Sequence, residues 1–560
     1  LYSNSFYKAL PTLKNGFMQD KMCDVGAVSN TDTFIKQGAY NTETATSWSW
    51  GALKNVNYFI DGCNDPKYCT VEAETRDNYL GIARWFRAWF YYDKLTTYGE
   101  VPWFPNDIQS YQNDVMYKDR DSRDVIIRNL IADLDFAYEH IQATSSTGSA
   151  TLTRWAAAAL KSRVCLFEAA YRRYHNLTGL EITPEELYRE AAKAAKLVID
   201  NSGCSLNTAA GKKGAYRDLF YSETPLTQEV ILAVCANEKS GIFGEQNWWF
   251  NARSYGLCWS LVRSFVHTYL KQDGTPFTAA ADYAVKSFAE EMEGRDLRLE
   301  QTVRGRNFLW DGKTAVADIK NLSLTGYQVI KYTLDESKYD GGAKNINSIP
   351  LIRYAEVLLN YAEAQAELGV ITDSEWALTV GALRKRAGIT GGTETLPTTV
   401  DSYLQRTFYP DVTSPVLLEI RRERAIELVA EGMRFDDLRR WKCGSLMETL
   451  PWSGIHIPGL EQPVDVNGDG VNDYYFTEGE VASAPAAYKN IAVRVNQDGV
   501  GLYAEANPVS GYDLVYKTGA GDRYWYPDGR QYLYPIPAKV IRDYRNAGYT
   551  ISQNPEWDNE

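Results

Sequence analysis

RYAEVLLNYAEAQAELG, residues 353–369, is the stretch whose reading decides the fold. Ala355, Leu358, Leu359, Ala362 and Ala366 recur at helical spacing and share one face. The alanines on that face let a partner helix approach closely, and Gly369 stands where a left-handed residue ends a helix. DSEWALTVGALRKRAGI (373–389) follows as the partner, and SPVLLEIRRERAIELVAEGMRFDDLRRWKCG (414–444) supplies a further helix pair. The pattern recurs toward the N-terminus. YLGIARWFRAWFYYDKLTTY (79–98) reads as a long aromatic helix stopped by Gly99 and Pro102. Residues 121–143 are amphipathic, with Val125, Ile126, Leu130, Ile131, Leu134 and Ala137 near 3.6-residue spacing. Thr153 is placed to cap a helix over 154–173. TPEELYREAAKAAKLVID (183–200) opens with Pro184 and acidic residues at the positive end of the helix dipole, and closes near Gly203. These last two helices make a hairpin with a repeat length close to that of tetratricopeptide units. Hairpins in both the first and last thirds predict a repeat-like helical scaffold.

Elsewhere the texture changes. Residues 204–348 and 445–535 are rich in Gly, Asn, Tyr and Trp and lack periodicity, whereas the hairpins occupy mainly 48–203 and 349–444. Irregular segments carried on a rigid scaffold are where binding residues concentrate. No Pro/Ser-rich linker or low-complexity tract divides the chain, so residues 1–560 are expected to form one body.

Composition removes several function classes. The 560 residues hold 72 Asp and Glu against 59 Lys and Arg, a formal net charge of −13. That balance gives no global attraction to phosphate backbones, and no nucleic-acid partner is expected. With 44% hydrophobic and 23% charged residues the chain has an ordinary globular composition. No apolar run approaches the roughly 18 residues of a membrane span. Only 4 His are present beside 39 Tyr, 19 Phe and 15 Trp, which disfavours His-based zinc sites and His-driven acid–base chemistry. None of the 8 Cys has C-x-x-C spacing, but Cys63 and Cys69 flank a short NDPKY loop and are candidates to pair. The chain begins at Leu1, not Met, so a processed or trimmed chain is expected, and any signal peptide or lipid-anchor cysteine would lie upstream of it.

Catalytic motifs are largely absent. There is no G-x-S-x-G and no H-E-x-x-H, and Gly312-Lys313-Thr314 lacks the earlier glycine of a phosphate loop because Asn307 occupies that place. Glu419, Glu423, Glu427 and Glu431 follow one another at i, i+4 on one helical face. Paired carboxylates hydrolyse glycosides at suitable separation, but Arg421, Arg422, Arg424 and Arg434 lie in the same segment and predict an ion-paired structural face instead. DVNGDGVND (465–473) places Asp465, Asn467, Asp469 and Asp473 at calcium-loop positions, with Gly470 at the sharp turn. Phe476 stands where the bidentate glutamate belongs, so an Asx-rich turn competes with the metal reading. No cofactor is expected to be required, and calcium is the one candidate ion.

Several blocks together resemble one family. ARWFRAWFYYDKLTTYGEVPWF (83–104), GRDLRLEQTV (294–303), GYQVIKY (326–332), IPLIRYAEVLLNYAEAQAELG (349–369), ALRKRAGI (382–389), LLEIRRERAIELVAEGMRFDDLRRW (417–441) and YLYPIPAKVIRDYRNAGYTISQNPEW (532–557) are similar, in order, to the SusD/RagB family of outer-membrane glycan-binding lipoproteins of Bacteroidetes. The resemblance implies a mainly α fold: a right-handed, tetratricopeptide-like helical-hairpin scaffold with loop-rich regions packed on one side. It implies a lipid-anchored, surface-exposed protein of the outer membrane that binds oligosaccharide or polysaccharide without cleaving it. It implies a TonB-dependent, SusC-like transporter as partner, with membrane contact only through an N-terminal anchor that is not in this chain. Ligand residues vary within such families and usually come from the loop before the first conserved helix and from the irregular middle third. Arg353, Tyr354, Glu356, Arg421 and Arg424 are expected to hold helices together rather than bind ligand.

Sugar rings stack their C–H faces on Trp and Tyr, while carboxylates, amides and Arg bind their hydroxyls. The densest matching cluster is NWWFNARSYGLCW (247–259), offering Trp248, Trp249, Tyr255 and Trp259 with Asn247, Asn251 and Arg253. At least one of its tryptophans is expected to be buried. Trp310 beside Asp311 is a second candidate, and Asp24, Asp32, Phe34 and Tyr40 are candidates from the N-terminal loop. Trp48 and Trp50 read as packing residues. Two rival readings stand beside glycan binding: a glycoside hydrolase on a helical scaffold, and a protein-interaction scaffold with no glycan site.

Overall fold

A computed structural model describes residues 2–14, 16, 20–252 and 257–558. Five helices run in sequence, Gly51–Asn64, Ala73–Tyr98, Arg123–His140, Arg154–Tyr174 and Pro184–Asn201, each packed on the next. The chain then leaves the array and returns with Tyr354–Glu367, which lies against Pro184–Asn201 and Pro415–Glu427. The array is thus continuous in space although broken in sequence. The two ends of the excursion are tied by an antiparallel pair, Val230–Val234 with Ile349–Arg353, in which Val234 opposes Ile349. The architecture is mainly α, as the periodicity predicts.

Local chemistry explains the helix ends. Thr183 and Glu186 form a reciprocal capping box ahead of Pro184. Gly99 ends the aromatic helix at φ 75° and Gly369 follows the Tyr354–Glu367 helix at φ 72°. Thr153 does occupy the N-cap of Arg154–Tyr174, but its side chain makes no capping bond. Arg154–Tyr174 is buried over nearly its whole length, and its run Ala156–Ala159 keeps neighbouring helices close.

Residues 373–389 are not one helix. They break at Thr379 into Asp373–Leu378 and Val380–Arg386. Just past the break the backbone comes close to a neighbouring loop: a Cβ on Gly381 would lie 2.0 Å from the Thr393 carbonyl oxygen. Trp376 Nε1 locks the same loop by donating to the Gly392 carbonyl at 3.0 Å. Gly381→Ala is expected to cost about 1–3 kcal/mol through overpacking, measured by denaturant unfolding.

The acidic face of Pro415–Glu427 is ion-paired, but mostly not with its own arginines. Glu419 pairs with Arg384 at 2.5 Å, Glu423 with Arg298 at 2.6 Å, and Glu431 with Arg353 and Lys331, both at 2.7 Å. Glu427 receives Arg353 at 2.6 Å, Arg298 at 2.7 Å and Arg386. Of the local arginines, Arg422 reaches Glu419 at 3.2 Å, while Arg424 pairs with Asp437 at 2.8 Å and Arg434 with Asp24 at 2.7 Å. Arg421 has no carboxylate partner among the described residues; it sits between the rings of Tyr174, Tyr409 and Trp441. Glu356 binds Arg163 at 2.6 Å, and the buried Tyr354 donates its amide to the Glu229 carbonyl. These groups hold helices together, with aromatic stacking replacing an ion pair at Arg421.

The aperiodic segments build a second hydrophobic core. Phe220, Phe250, Trp259, Phe265, Tyr327 and Tyr332 pack there with Ile426 and Val429 from the end of the acidic helix. Two three-stranded sheets complete that side, Ser453–Ile457 with Tyr512–Tyr516 and Leu502–Ala506, and Pro463–Val464 with Tyr474–Thr477 and Ala492–Arg494. Among the described residues, no helix is long and apolar enough to cross a membrane.

Cys63 and Cys69 are free thiols held in mutual contact. Burial and the neighbouring Cys69 push the Cys63 thiol up to about 11. Oxidised glutathione is expected to convert the pair to a disulfide with release of two reduced glutathiones, detected as a crosslinked 63–69 peptide by mass spectrometry.

Candidate functional site

A concavity of about 830 Å³ opens where the N-terminal segment, the aromatic helix and the segment after Glu427 meet. Trp89, Tyr92, Asp93 and Thr96 line it from one face of Ala73–Tyr98, at i, i+3, i+4 and i+7. Trp89 is backed by a stacked, fully buried Trp85, with centroids 5.4 Å apart and planes 12° apart, so its ring is fixed from behind. Trp249 and Asp32 reach the same cavity from two distant parts of the chain.

The polar lining is mixed in sign. Burial raises Asp20 to about 8, against the opposing pull of Lys331. Its Oδ2 has no hydrogen-bond partner among the described residues. Desolvation also raises Asp93. Burial would raise Glu431 as well, but Arg353 and Lys331 outweigh it and hold the carboxyl low. Lys21 adds a cation, and Arg163 borders the space while paired with Glu356. Aromatic faces, carboxyl groups and basic side chains therefore border one open space, a combination suited to a polyhydroxylated ligand with apolar ring faces.

The sequence-predicted residues divide. The helix Gln246–Asn251 leaves Trp248 and Trp249 half-buried, their rings 6.2 Å apart. Its asparagines serve the fold. Asn247 Oδ1 accepts from Leu334 N and Asn345 Nδ2 at 2.7 Å each, and its Nδ2 donates to the Leu334 carbonyl at 2.8 Å. Asn251 Nδ2 donates to Asp340 at 3.1 Å and its Oδ1 accepts from Gln328. Trp259 is 1% exposed and packs across Gly26, where a Cβ would lie 2.5 Å from the indole. It is core rather than binding surface. Arg253 and Tyr255 lie outside the described residues.

Trp310 is half-buried on a hairpin, Leu309–Trp310 with Lys313–Thr314, whose Asp311-Gly312 turn has φ 49° and 74°. Its hairpin leans on the same loop that Asn247 fastens, through Ser337 N donating to Asp311 at 2.9 Å. In the N-terminal loop, Asp24 is buried and bound by Arg434, and Phe34 is buried and stacked on Tyr534 at 3.9 Å. Tyr40 packs edge-on against both rings. Asp24, Phe34, Tyr40, Asn251 and Trp259 are therefore structural, because each is spent on an interior partner.

Sequence reasoning missed the contribution of the aromatic helix. The signal was there: WFRAWFYYD holds more rings than one buried face accepts. A second groove of about 1150 Å³, between the start of Gly51–Asn64 and the C-terminal helix Ala538–Asn546, is lined by Trp48, Trp50, Phe104 and Tyr117. Trp48 and Trp50 do pack, on Tyr98 at 4.9 Å and Phe104 at 5.2 Å, yet both stay half-buried at the groove.

The 465–473 loop folds as a chain of Asx turns. Asp465 accepts the amides of Gly468 and Gly470 at 2.7 and 2.8 Å, Asn467 that of Asp469, Asp469 that of Val471, and Asp473 that of Val466. Burial and the facing Asp465 and Asp469 raise Asp473. Among the described residues no group of three or more His, Cys, Asp or Glu is gathered to hold a metal ion. These amide contacts give the loop its shape as a series of Asx turns.

A profile of the SusD family matches residues 228–557, more than half of the chain, and the chain belongs to that family. Solved structures share its fold. A SusD-like protein from Bacteroides fragilis NCTC 9343 is 21% identical with a TM-score of 0.66, over 99% of this chain and 95% of that one. A SusD-like carbohydrate binding protein from the same strain is 18% identical with a TM-score of 0.68, over 98% of this chain and 97% of that one. A SusD superfamily protein from Parabacteroides distasonis ATCC 8503 is 18% identical with a TM-score of 0.57, over 99% and 98%. No curated protein matches the chain in sequence.

Proposed function

We propose that the chain binds oligosaccharide or polysaccharide at the cell surface, without cleaving it, and passes it to a TonB-dependent, SusC-like transporter. The observation that carries the binding reading is the 830 Å³ concavity, which Trp89, Tyr92 and Trp249 line together with polar side chains from three parts of the chain. A related fold of 18% identity is described as a carbohydrate binding protein, which supports the same ligand class. The outer-membrane address, the lipid anchor and the transporter partner follow from the family resemblance. The hydrolase alternative loses its best carboxylates, since Glu419, Glu423, Glu427 and Glu431 are all spent on guanidinium or ammonium groups.

Calorimetry against a polysaccharide panel tests the proposal, run beside a reducing-end assay. Binding with no release of reducing ends is the expected result; release at an enzymatic rate refutes it. EDTA is expected to leave the affinity unchanged, because the Asx-turn loop is held by its own backbone amides.

A further inference from the structure

We propose that the concavity beside the C-terminal end of Gly51–Asn64 is a second carbohydrate-contact site, built for neutral sugar rings; the proposal rests on the glycan-binding reading above. This concavity, of about 520 Å³, shares no lining residue with the other two. Its rings are exposed yet held. Tyr2 stacks on Phe59 at 5.5 Å and 16°, and its hydroxyl donates to Asn55 at 2.7 Å, so the ring is braced at both ends. Tyr58 continues the surface 6.2 Å from Tyr2. Tyr68 adds a ring from the loop after the helix. Tyr58 and Tyr68 are 60% and 69% exposed, which leaves wide faces for a ligand. An amphipathic ring fixed at an open hollow suits the apolar face of a pyranose.

The polar groups are braced too. Asp61 accepts from Asn106 Nδ2 and from the Asp107 amide, both at 2.8 Å. Asp65 accepts the Lys67 amide at 2.8 Å while its carbonyl accepts those of Tyr68 and Cys69, so one turn sets Tyr68 and returns Cys69 to Cys63. Each carboxylate still has acceptor capacity for sugar hydroxyls. Three carboxylates face this space and no basic residue lines it among the described residues; Lys67, 5.0 Å from the Tyr68 ring centroid, and Arg76, near Cys63 and Cys69, stand outside the lining. Uronates and sulfated sugars are repelled by such a lining, whereas neutral hydroxyls are accepted.

The test is a Tyr58→Ala/Tyr68→Ala variant of the full chain, compared with Trp249→Ala. Both tyrosines are exposed, so the variant is expected to keep its melting temperature. Probes are glucomannan, laminarin and polygalacturonate in native affinity gels, and hexasaccharides of the first two in calorimetry. The proposal expects two hexasaccharide sites per chain, falling to one in the tyrosine variant. It expects retention by the neutral polymer to weaken at least about tenfold, since a long chain engages both sites at once. It also expects polygalacturonate retention to be the same with and without the tyrosines. Unchanged stoichiometry and retention in the tyrosine variant, with binding lost in Trp249→Ala, overturns the second site and leaves the first. A single site removed by the tyrosine pair and indifferent to Trp249→Ala supports this site and overturns the larger cavity. Absence of binding to every glycan in the unaltered chain overturns both.

Discussion

Glu427→Ala is expected to cost about 3–5 kcal/mol or to prevent folding, because it leaves buried positive charge without its counter-ion. The Glu427 carboxylate receives Arg298, Arg353 and Arg386, and all four side chains are almost fully buried. Glu427→Gln keeps the shape and loses the charge, so it is expected to fail nearly as badly. Asp543→Ala, which removes an exposed partner of Lys539, serves as the control and is expected to change stability by under about 1 kcal/mol. Denaturant unfolding measures all three. The same site makes stability acid-sensitive. Burial alone would raise Glu427, but Arg386, Arg353 and Arg298 outweigh it and hold the carboxyl well below its ordinary value. Glu291, buried but facing Arg263 and His267, is held at about 2. Both carboxyls are depressed in the fold. Their contribution is therefore complete above the ordinary carboxylate range and is lost as the pH falls toward about 2. A midpoint of acid unfolding that moves to higher pH in Glu427→Gln is the expected signature.

The second large effect concerns binding. Trp249→Ala and Trp89→Ala are each expected to weaken glycan affinity by about 30-fold, near 2 kcal/mol, as for a well-packed aromatic anchor. Trp89 has the stronger case structurally, since the buried Trp85 behind it fixes the ring before ligand arrives. Trp310 does not border the cavity, and Trp310→Ala is expected to leave this affinity within about twofold. Equal losses at Trp310 and Trp249 would move the site to the loop between them.

Helix positions were legible because caps and 3.6-residue spacing are local signals: Thr183 with Glu186, Gly99 and Gly369 all mark real ends. The ion pairing of the acidic face was legible as chemistry but not as geometry. Arg298, Arg353 and Arg386 come from separate segments, and no spacing rule links them to Glu427. The binding residues were harder still. Asn247 and Asn251 have the composition of a sugar site, but a side-chain amide that fastens the 334–345 loop is chemically identical to one that waits for a hydroxyl. Trp89 and Tyr92 were hidden for the opposite reason. Their helix buries most of its other rings, so the whole stretch reads as scaffold.

The strand pair Val230–Val234 with Ile349–Arg353 closes the excursion at its neck, next to the helices it interrupts. Because the neck fixes where the excursion departs and rejoins, added length in its exposed loops costs little closure entropy, the penalty growing only with the logarithm of length. Trp249 and Trp310 both lie inside that excursion, whereas Trp89 belongs to the helical array. Among the described residues, sequence changes between the two strands therefore reach the cavity through Trp249 alone, while the ring at Trp89 is set by the helical array.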